Sequence, residues 1–199
     1  MRAAERRYYD RRAPEYDDWY LGRGRFAGLE RPGWGEEFAE LVGVLRSLPP
    51  ARVLDVACGT GFLTRHLRGR VTGVDQSEAM LEIARRRSPR SEFARANGLA
   101  LPFADGSFDR VLTAHFYGHL QTEDRDGFLT EARRVARELV VVDAALRPGV
   151  EAEEMQERFL DDGSRHIVYK RYFTPDGLAA ELGGGQVLLA GAWFVVVAA

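Results

Sequence analysis

Three residues with side-chain oxygens stand at regular intervals, each at or near the end of a predicted strand. They are Asp55 in VLDVACGTG, Asp75 in VTGVD and Asn97 in SEFARAN. The first of these runs is short and rich in β-branched residues, which is typical of a strand buried on both faces of a parallel sheet. In open parallel sheets, ligands bind beyond the carboxyl ends of the strands. We therefore expect the three side chains to lie around one ligand.

The turn after Asp55 indicates the charge of that ligand. A dinucleotide-binding turn would have the pattern G-x-G-x-x-G, which places a pyrophosphate on a helix N-terminus. Here Asp55 would repel a pyrophosphate and attract an ammonium or sulfonium group. Gly59 and Gly61 permit positive φ and let a ligand touch the backbone. The pattern favours a cation that carries adenosine, such as S-adenosylmethionine.

The next two strand ends are suited to the adenosine part. Asp75 can accept hydrogen bonds from both ribose hydroxyls, although dinucleotide folds use a carboxylate in the same way. The side-chain oxygen of Asn97 could accept a hydrogen bond from the adenine amino group. The backbone N–H of Gly98 would remain open to a ring nitrogen.

The segment TAHFYGHL after the fourth predicted strand holds the candidates for acid–base chemistry. His115 and His119 could each deprotonate a hydroxyl or an amine near neutral pH. Either could instead be a structural histidine, and Tyr117 could be a wall of the same site. No cluster of histidine, cysteine and acidic residues has metal-ligand spacing, so we expect no metal.

The elements that must position these residues alternate between strand and helix, which favours an α/β sheet that is mostly parallel, with helices on both faces. Strands are predicted at 51–57, 70–75, 91–97, 107–115 and 139–146, and helices at 60–69, 77–87 and 123–138. The final residues, 186–199, predict an antiparallel hairpin. Between them we expect a helix at 151–160 and an extended stretch at 166–173.

Three motifs and the closing hairpin together resemble the class I S-adenosylmethionine-dependent methyltransferases of the small-molecule group. The motifs are VLDVACGTG, VTGVDQSEAM and ANGLALPFADGSFDRVLTAH. The resemblance implies a seven-stranded Rossmann-like sheet with strand order 3-2-1-4-5-7-6. It also implies S-adenosylmethionine as the cofactor, with S-adenosylhomocysteine as the product. The cofactor-binding residues it implies are Tyr16, Asp55, Ala57, Gly59, Gly61, Asp75, Gln76, Asn97, Gly98 and Thr113, and it favours His119 over His115 as the base.

The whole chain, 1–199, is expected to form a single domain without an inserted substrate domain. Its parts would be an N-terminal segment at 1–50, a cofactor-binding core at 51–146, and a substrate-side segment with the hairpin at 147–199. The aromatic-rich N-terminal segment is expected either to cover the cleft as a lid or to pack on the sheet as a helix. These two interpretations are compatible.

Composition limits the partners. The net charge is −2, which gives no reason to expect nucleic-acid binding, and no apolar run is long enough to span a bilayer. A lone cysteine, Cys58, and a first segment without an apolar core favour a cytoplasmic setting. We expect a monomer or a homodimer that methylates a small molecule on oxygen, nitrogen or carbon. The alternatives are methylation of a quinone-type ring on carbon, since YYDRRAPEYD resembles the ubiquinone/menaquinone methyltransferases, and a non-catalytic cofactor-binding protein.

Overall fold

The computed structural model describes the chain from residue 3 to residue 199, with side chains described from residue 6 onward. The strands are β1 (Ala51–Val56), β2 (Gly69–Asp75), β3 (Glu92–Arg95), β4 (Arg110–Ala114), β5 (Glu138–Ala144), β6 (Glu153–Phe159), β7 (Arg165–Arg171), β8 (Gln186–Ala190) and β9 (Phe194–Ala198). The helices are α1 (Ala3–Arg12), α2 (Asp18–Leu21), α3 (Trp34–Ser47), α4 (Glu78–Arg87), α5 (Thr122–Val135) and α6 (Pro175–Glu181).

The main sheet has seven strands in the order β3-β2-β1-β4-β5-β9-β8. The first five strands of that order run parallel, whereas β9 is antiparallel to both β5 and β8. The expected strand order and the closing antiparallel hairpin are therefore confirmed. Because β1 lies between β2 and β4, the ends of all three strands meet at one edge of the sheet.

The apolar runs of the strands are explained by burial on both faces. Along β9, Val195 and Val197 pack into one hydrophobic cluster with α5 and α6, while Phe194 and Val196 pack into another with α3. All four side chains are fully buried. A strand with two covered faces must be apolar at every position, which is why the sequence shows continuous runs rather than alternation.

Helix α4 begins and ends as its sequence predicts. The Ser77 hydroxyl accepts a hydrogen bond from the backbone N–H of Met80, which caps the first turn. Glu78 lies in the first turn, and arginines occupy the last one, where they complement the helix dipole. The helix buries Met80, Leu81 and Ala84 against the sheet.

Two predicted helices are wrong. The segment 60–69 contains a single helical turn at Thr64–His66, because its apolar residues Phe62 and Leu63 are buried directly by the turn that leads back to β2. The segment 151–160 is mostly the strand β6, paired antiparallel with β7. Its burial alternates along the chain, as expected for a strand with one covered face.

The turn after β1 packs closely on α4, and this contact makes a testable prediction. Gly61 has φ of +70°, and a Cβ placed there would lie 3.2 Å from both the Cα and the Cβ of Ala84. We expect Gly61→Ala to lower the free energy of unfolding by roughly 2–4 kcal/mol, since it adds backbone strain and displaces a helix. Chemical denaturation would measure this loss.

Gly106 provides the matched control. It has a similar φ of +64°, but a Cβ there would meet nothing within 4 Å. Gly106→Ala should therefore cost about 1 kcal/mol from backbone strain alone. Equal losses in the two variants would show that packing against Ala84 contributes nothing.

Within residues 3–199, no helix combines the length and the apolar character that crossing a membrane requires.

Candidate active site

A narrow cavity of about 40 Å³ lies where β1, β2 and β4 end. Its walls are backbone and small or apolar side chains, with one carboxylate. The lining residues are Tyr9, Tyr16, Ala57, Gly59, Asp75, Gln76, Met80, Ala96, Gly98, Ala114, His115 and Phe116. The predicted ligand position beyond the strand ends therefore coincides with a cavity of mixed polar and apolar character.

Asp75 supplies the carboxylate of the narrow cavity. Its Oδ2 accepts a hydrogen bond of 2.9 Å from the backbone N–H of Gly59, and its Oδ1 accepts one of 2.9 Å from the N–H of Ser77. These bonds fix the carboxylate against the glycine turn. Each oxygen keeps further acceptor capacity toward the cavity.

Two residues at this edge have an uncommon backbone conformation. Ala57 has φ of +58° and His115 has φ of +53°, and among the described residues no other non-glycine residue has positive φ. Both line the narrow cavity, one after β1 and the other after β4. Such strain costs on the order of 1–3 kcal/mol and tends to occur at functional sites.

Six of the ten predicted cofactor-binding residues line this cavity, and four do not: Asp55, Gly61, Asn97 and Thr113. Gly61 packs on α4, as described above. The Thr113 hydroxyl donates to the carbonyl of Val56, which ties β4 to β1. The Asn97 side-chain oxygen accepts hydrogen bonds from the Gln76 side chain and from the N–H of Leu99, so it shapes the turn beside the cavity.

Asp55 lies beneath the turn rather than at its mouth. It is 2% exposed, and its Oδ2 accepts a hydrogen bond of 2.6 Å from the Thr64 hydroxyl. Burial raises the pKa of Asp55 to about 7; the Thr64 bond opposes this shift, and the negative charge of Asp75 adds to it. An Asp55 in this position stabilises the fold best while it is protonated.

This raised pKa predicts how stability depends on pH. The folded protein holds the Asp55 proton up to about pH 7, whereas the unfolded chain releases it near its ordinary pKa of 3.8, so the stability from this group falls as pH rises between these values. Asp55→Asn keeps an acceptor for Thr64 and removes the titration. We expect the free energy of unfolding of Asp55→Asn minus that of wild type to increase by about 2–3 kcal/mol as the pH is raised from 5 to 8.

Urea denaturation of both proteins at the two pH values would measure the change. Asp124→Asn, on the exposed side of α5, is a matched control that should show no such change. A difference between Asp55→Asn and wild type that is independent of pH would contradict the buried, protonated carboxyl group.

A second, large cavity of about 960 Å³ lies beside the narrow one. Its walls come from the N-terminal segment and from the β6–β7 pair. Aromatic and cationic side chains predominate, including Trp19, Trp34, Trp193 and Tyr172, together with Arg12, Arg25, Arg31, Arg147, Arg158 and Lys170. The N-terminal segment folds into helices and contributes residues to the cavity wall, and its role as a lid stays a prediction.

Tyr9, Tyr16 and His115 line both cavities. They therefore form the boundary across which a group could pass from one cavity to the other. The His115 side chain is 9% exposed, and its Nε2 is buried without a hydrogen-bond partner among the described residues. Burial lowers the pKa of His115 to about 4; Lys170 and Arg158 lower it further, while Asp143 opposes them.

His119 lines only the large cavity. Its Nδ1 lies 2.6 Å from the carbonyl oxygen of Tyr169, and since a carbonyl can only accept, Nδ1 carries the proton. Nε2 is then the basic nitrogen. Burial, with the nearby charges of Lys170 and Arg158, holds the pKa of His119 well below its ordinary value.

A buried ion pair that sequence reasoning missed lies behind His115. Asp143, at 0% exposure, accepts a hydrogen bond of 2.5 Å from Lys170 Nζ and further bonds from the N–H groups of Gly118 and Ala144. Its Oδ1 is 3.9 Å from His115 Nδ1. One signal was present: Lys170 is the only lysine among 28 basic residues.

Comparison with known proteins agrees with this geometry. Residues 53–138 match a family described as a methyltransferase domain. A demethylmenaquinone methyltransferase of Thermotoga maritima is 37% identical over 136 residues, which cover 66% of this chain and 56% of that protein. A 2-phytyl-1,4-naphtoquinone methyltransferase of Trichormus variabilis is 34% identical, over 66% of this chain and 59% of that protein. The chain thus spans about three fifths of the length of these curated relatives.

Two solved structures resemble the whole chain. The DhpI–SAH complex has a TM-score of 0.76 at 26% identity and covers 98% of this chain and 94% of that one. The DhpI–SAM–HEP complex has a TM-score of 0.78 at 24% identity, covering 100% and 98%. Residues 53–138 are therefore a methyltransferase domain, and the chain has the fold of the class I S-adenosylmethionine-dependent methyltransferases.

Proposed function

We propose that this protein transfers a methyl group from S-adenosylmethionine to a small-molecule acceptor. One observation carries the proposal: Tyr9, Tyr16 and His115 form a common boundary between the narrow cavity at the strand ends and the large cavity. Methyl transfer requires donor and acceptor close together and in line, and two adjoining cavities would bring them close together.

The residues around the narrow cavity suit the cofactor, although the cofactor is larger than the free space of about 40 Å³ and would have to widen the cavity on binding. Asp75 offers a fixed carboxylate for ribose hydroxyls, and Met80, Ala96 and Phe116 offer apolar contact for an adenine ring. The Tyr16 ring lies over Gly59, 3.5 Å from where a Cβ would stand, which is an ordinary contact distance; glycine is favoured there by its φ of +54°. When bound, the cofactor supplies an electrophilic methyl group on a sulfonium.

The large cavity would hold the acceptor, and its histidines would take the acceptor's proton. His115 and His119 are neutral at pH 7 because burial and nearby cations lower their pKa. A neutral imidazole with a basic nitrogen can accept a proton from a hydroxyl or an amine. His115 is the better placed of the two, since it lines both cavities.

Radiolabelled S-adenosylmethionine, incubated with the protein and a panel of phenols, alcohols, amines and carboxylates, tests the proposal. Label transferred to at least one class supports methyl transfer and identifies the acceptor atom. Binding of S-adenosylhomocysteine without transfer to any acceptor would favour a non-catalytic binding protein. No binding, with adenine nucleotides binding instead, would overturn the proposal.

Methylation of a quinone-type ring on carbon is a second candidate. It is supported by the printed names of the curated relatives and by the aromatic walls and the volume of the large cavity. Demethylated naphthoquinone in the same assay tests it directly. An unchanged quinone profile in a strain that lacks this protein would argue against it.

A further inference from the structure

Two arginines in the wall of the large cavity converge on one hydroxyl group. Arg12 Nη1 donates a hydrogen bond of 2.8 Å to the Tyr8 hydroxyl oxygen, and Arg158 Nη1 lies 3.4 Å from the same oxygen. Arg12 ends α1 and Arg158 lies on β6, so the N-terminal segment and the strand pair bring the two cations together. Like charges at this separation repel each other unless an anion lies between them.

The side chains described from residue 6 onward supply no such anion. Arg12 is 7% exposed, and Arg158 is partly buried. Among the side chains that the structure describes, their polar partners are the Tyr8 hydroxyl and, for Arg158, the Gln156 side-chain oxygen. Of the other four cations in the cavity wall, Arg25 pairs with Glu15 and Asp161, and Lys170 pairs with Asp143. Arg31 and Arg147 have no carboxylate partner among the described residues, but neither approaches the Arg12–Arg158 pair through a shared hydrogen-bond acceptor.

Arg12 also has an unused donor. Its Nε is buried and has no hydrogen-bond partner among the described residues. A buried charged donor without a partner is destabilising, so a ligand that satisfied it would be bound more tightly. The Tyr8 hydroxyl, which is buried and does not line the cavity, accepts from both arginines and so fixes their positions in the wall.

The charge of the whole cavity has the same sign. Among the lining residues, six are cationic and three, Glu30, Glu154 and Glu157, are acidic. The chain as a whole carries a net charge of −2, so the positive charge is concentrated at this site. A low-dielectric cavity with one sign of charge raises the local concentration of oppositely charged ligands.

We propose that Arg12 and Arg158, which line the large cavity and are held together by the buried Tyr8 hydroxyl, bind an oxyanion of the acceptor molecule, either a carboxylate or a phosphate group. The planar guanidinium fork suits both, because two parallel N–H groups can bond two oxygens of one anion. That the bound molecule is a methyl acceptor rests on the proposed function, but anion binding itself does not depend on methyl transfer.

Tryptophan fluorescence offers a direct readout of anion binding. All three tryptophans of the chain line the large cavity. Inorganic phosphate and acetate would be titrated separately into protein saturated with S-adenosylhomocysteine, and isothermal titration calorimetry would check the result. We expect saturable binding of at least one of the two anions in the millimolar range, and their relative affinity distinguishes phosphate from carboxylate chemistry.

Variants with matched controls locate the site. Arg12→Gln and Arg158→Gln should each weaken anion binding at least tenfold. Arg11→Gln on α1 and Arg165→Gln on β7, the partner strand of β6, each remove one exposed charge near the site. These two control variants should change the affinity for the anion less than twofold. Arg12→Lys keeps the charge but lacks the two parallel N–H groups of the guanidinium, so its affinity for the anion should lie between those of wild type and Arg12→Gln. Arg12 also packs on the Tyr8, Tyr16 and Phe26 rings, so circular dichroism and the thermal midpoint would check that each variant is folded at the temperature of the titration.

The outcomes separate this proposal from the proposed function. No saturable binding of either anion, or equal weakening in the control variants, would overturn the oxyanion site, even if labelled methyl transfer is observed. Saturable binding that both Arg12→Gln and Arg158→Gln weaken would support the site, even if the label is not transferred. Rapid methylation of a neutral quinone, unaffected by either substitution, would also overturn it.

Discussion

Replacing His115 with asparagine is expected to lower turnover about 100-fold while leaving the affinity for S-adenosylhomocysteine nearly unchanged, because a general base typically contributes roughly 10²–10⁴-fold. His115 lines both cavities, and its Nε2 is buried without a partner among the described residues. Asparagine is the suitable replacement because it tolerates the positive φ that His115 adopts. Steady-state kinetics and calorimetry would separate the two effects.

The pH profile gives an independent check. With its pKa lowered to about 4, His115 is neutral and able to accept a proton throughout the neutral range. The rate should therefore be flat between about pH 6 and pH 8 and should fall only as the pH approaches 4. The sequence alone led to the expectation that a histidine would titrate near its ordinary pKa; burial and the cations around it move that titration down.

His119→Ala is the matched comparison. The sequence resemblance favours His119 as the base, and its Nε2 is the basic nitrogen because Nδ1 donates to Tyr169. A loss of at least 100-fold in His119→Ala, with less than threefold in His115→Asn, would reassign the base to His119. Losses below threefold in both variants would mean that transfer depends on alignment alone, as expected for an acceptor that is already ionised.

Asp75→Ala is expected to weaken S-adenosylhomocysteine binding at least tenfold, which corresponds to about 1.4 kcal/mol. The substitution removes a carboxylate that lines the narrow cavity, and with it the two acceptors that hold the N–H groups of Gly59 and Ser77. Both the ligand contact and the shape of the glycine turn are lost. Isothermal titration calorimetry measures the affinity.

Two further variants make this result specific. Asp75→Asn keeps one acceptor and should lose less affinity than alanine. Asp124→Ala removes an exposed carboxylate from α5, far along the chain from the strand ends, and should leave the affinity unchanged. If Asp75→Ala binds as tightly as wild type, the ribose is held elsewhere and the cofactor position proposed for the narrow cavity is wrong.

Much of the sheet and part of the narrow cavity could be predicted from local patterns. The positions of β1, β2 and β4 follow from apolar runs, because a strand with both faces covered must be apolar at every position. Once those strands are parallel neighbours, their carboxyl ends must meet. Asp75 and Gly59 were therefore identifiable as cavity residues from their place in the chain alone.

Local patterns failed where two states share one pattern. The segment 151–160 has charged and apolar residues at spacings compatible with a helix, but the strand β7 pairs with it and holds it extended. Asp55 stands where a ligand carboxylate was expected, yet its side chain turns inward to Thr64. Neighbouring residues of a strand point to opposite faces of the sheet. A shift of one position therefore decides whether a side chain points into the protein or toward the ligand, and the sequence alone does not give the register that settles this.

What the sequence determined by itself was the narrow cavity: the strand ends, the glycine turn and the Asp75 carboxylate, all within one continuous stretch. Only the tertiary structure decided the large cavity. Tyr8 and Arg158 are in contact although they lie 150 positions apart in the sequence, and Lys170 bonds to Asp143, which lies 27 positions before it. Contacts of this kind depend on how the N-terminal helices and the β6–β7 pair pack over the sheet, and no local periodicity records that packing.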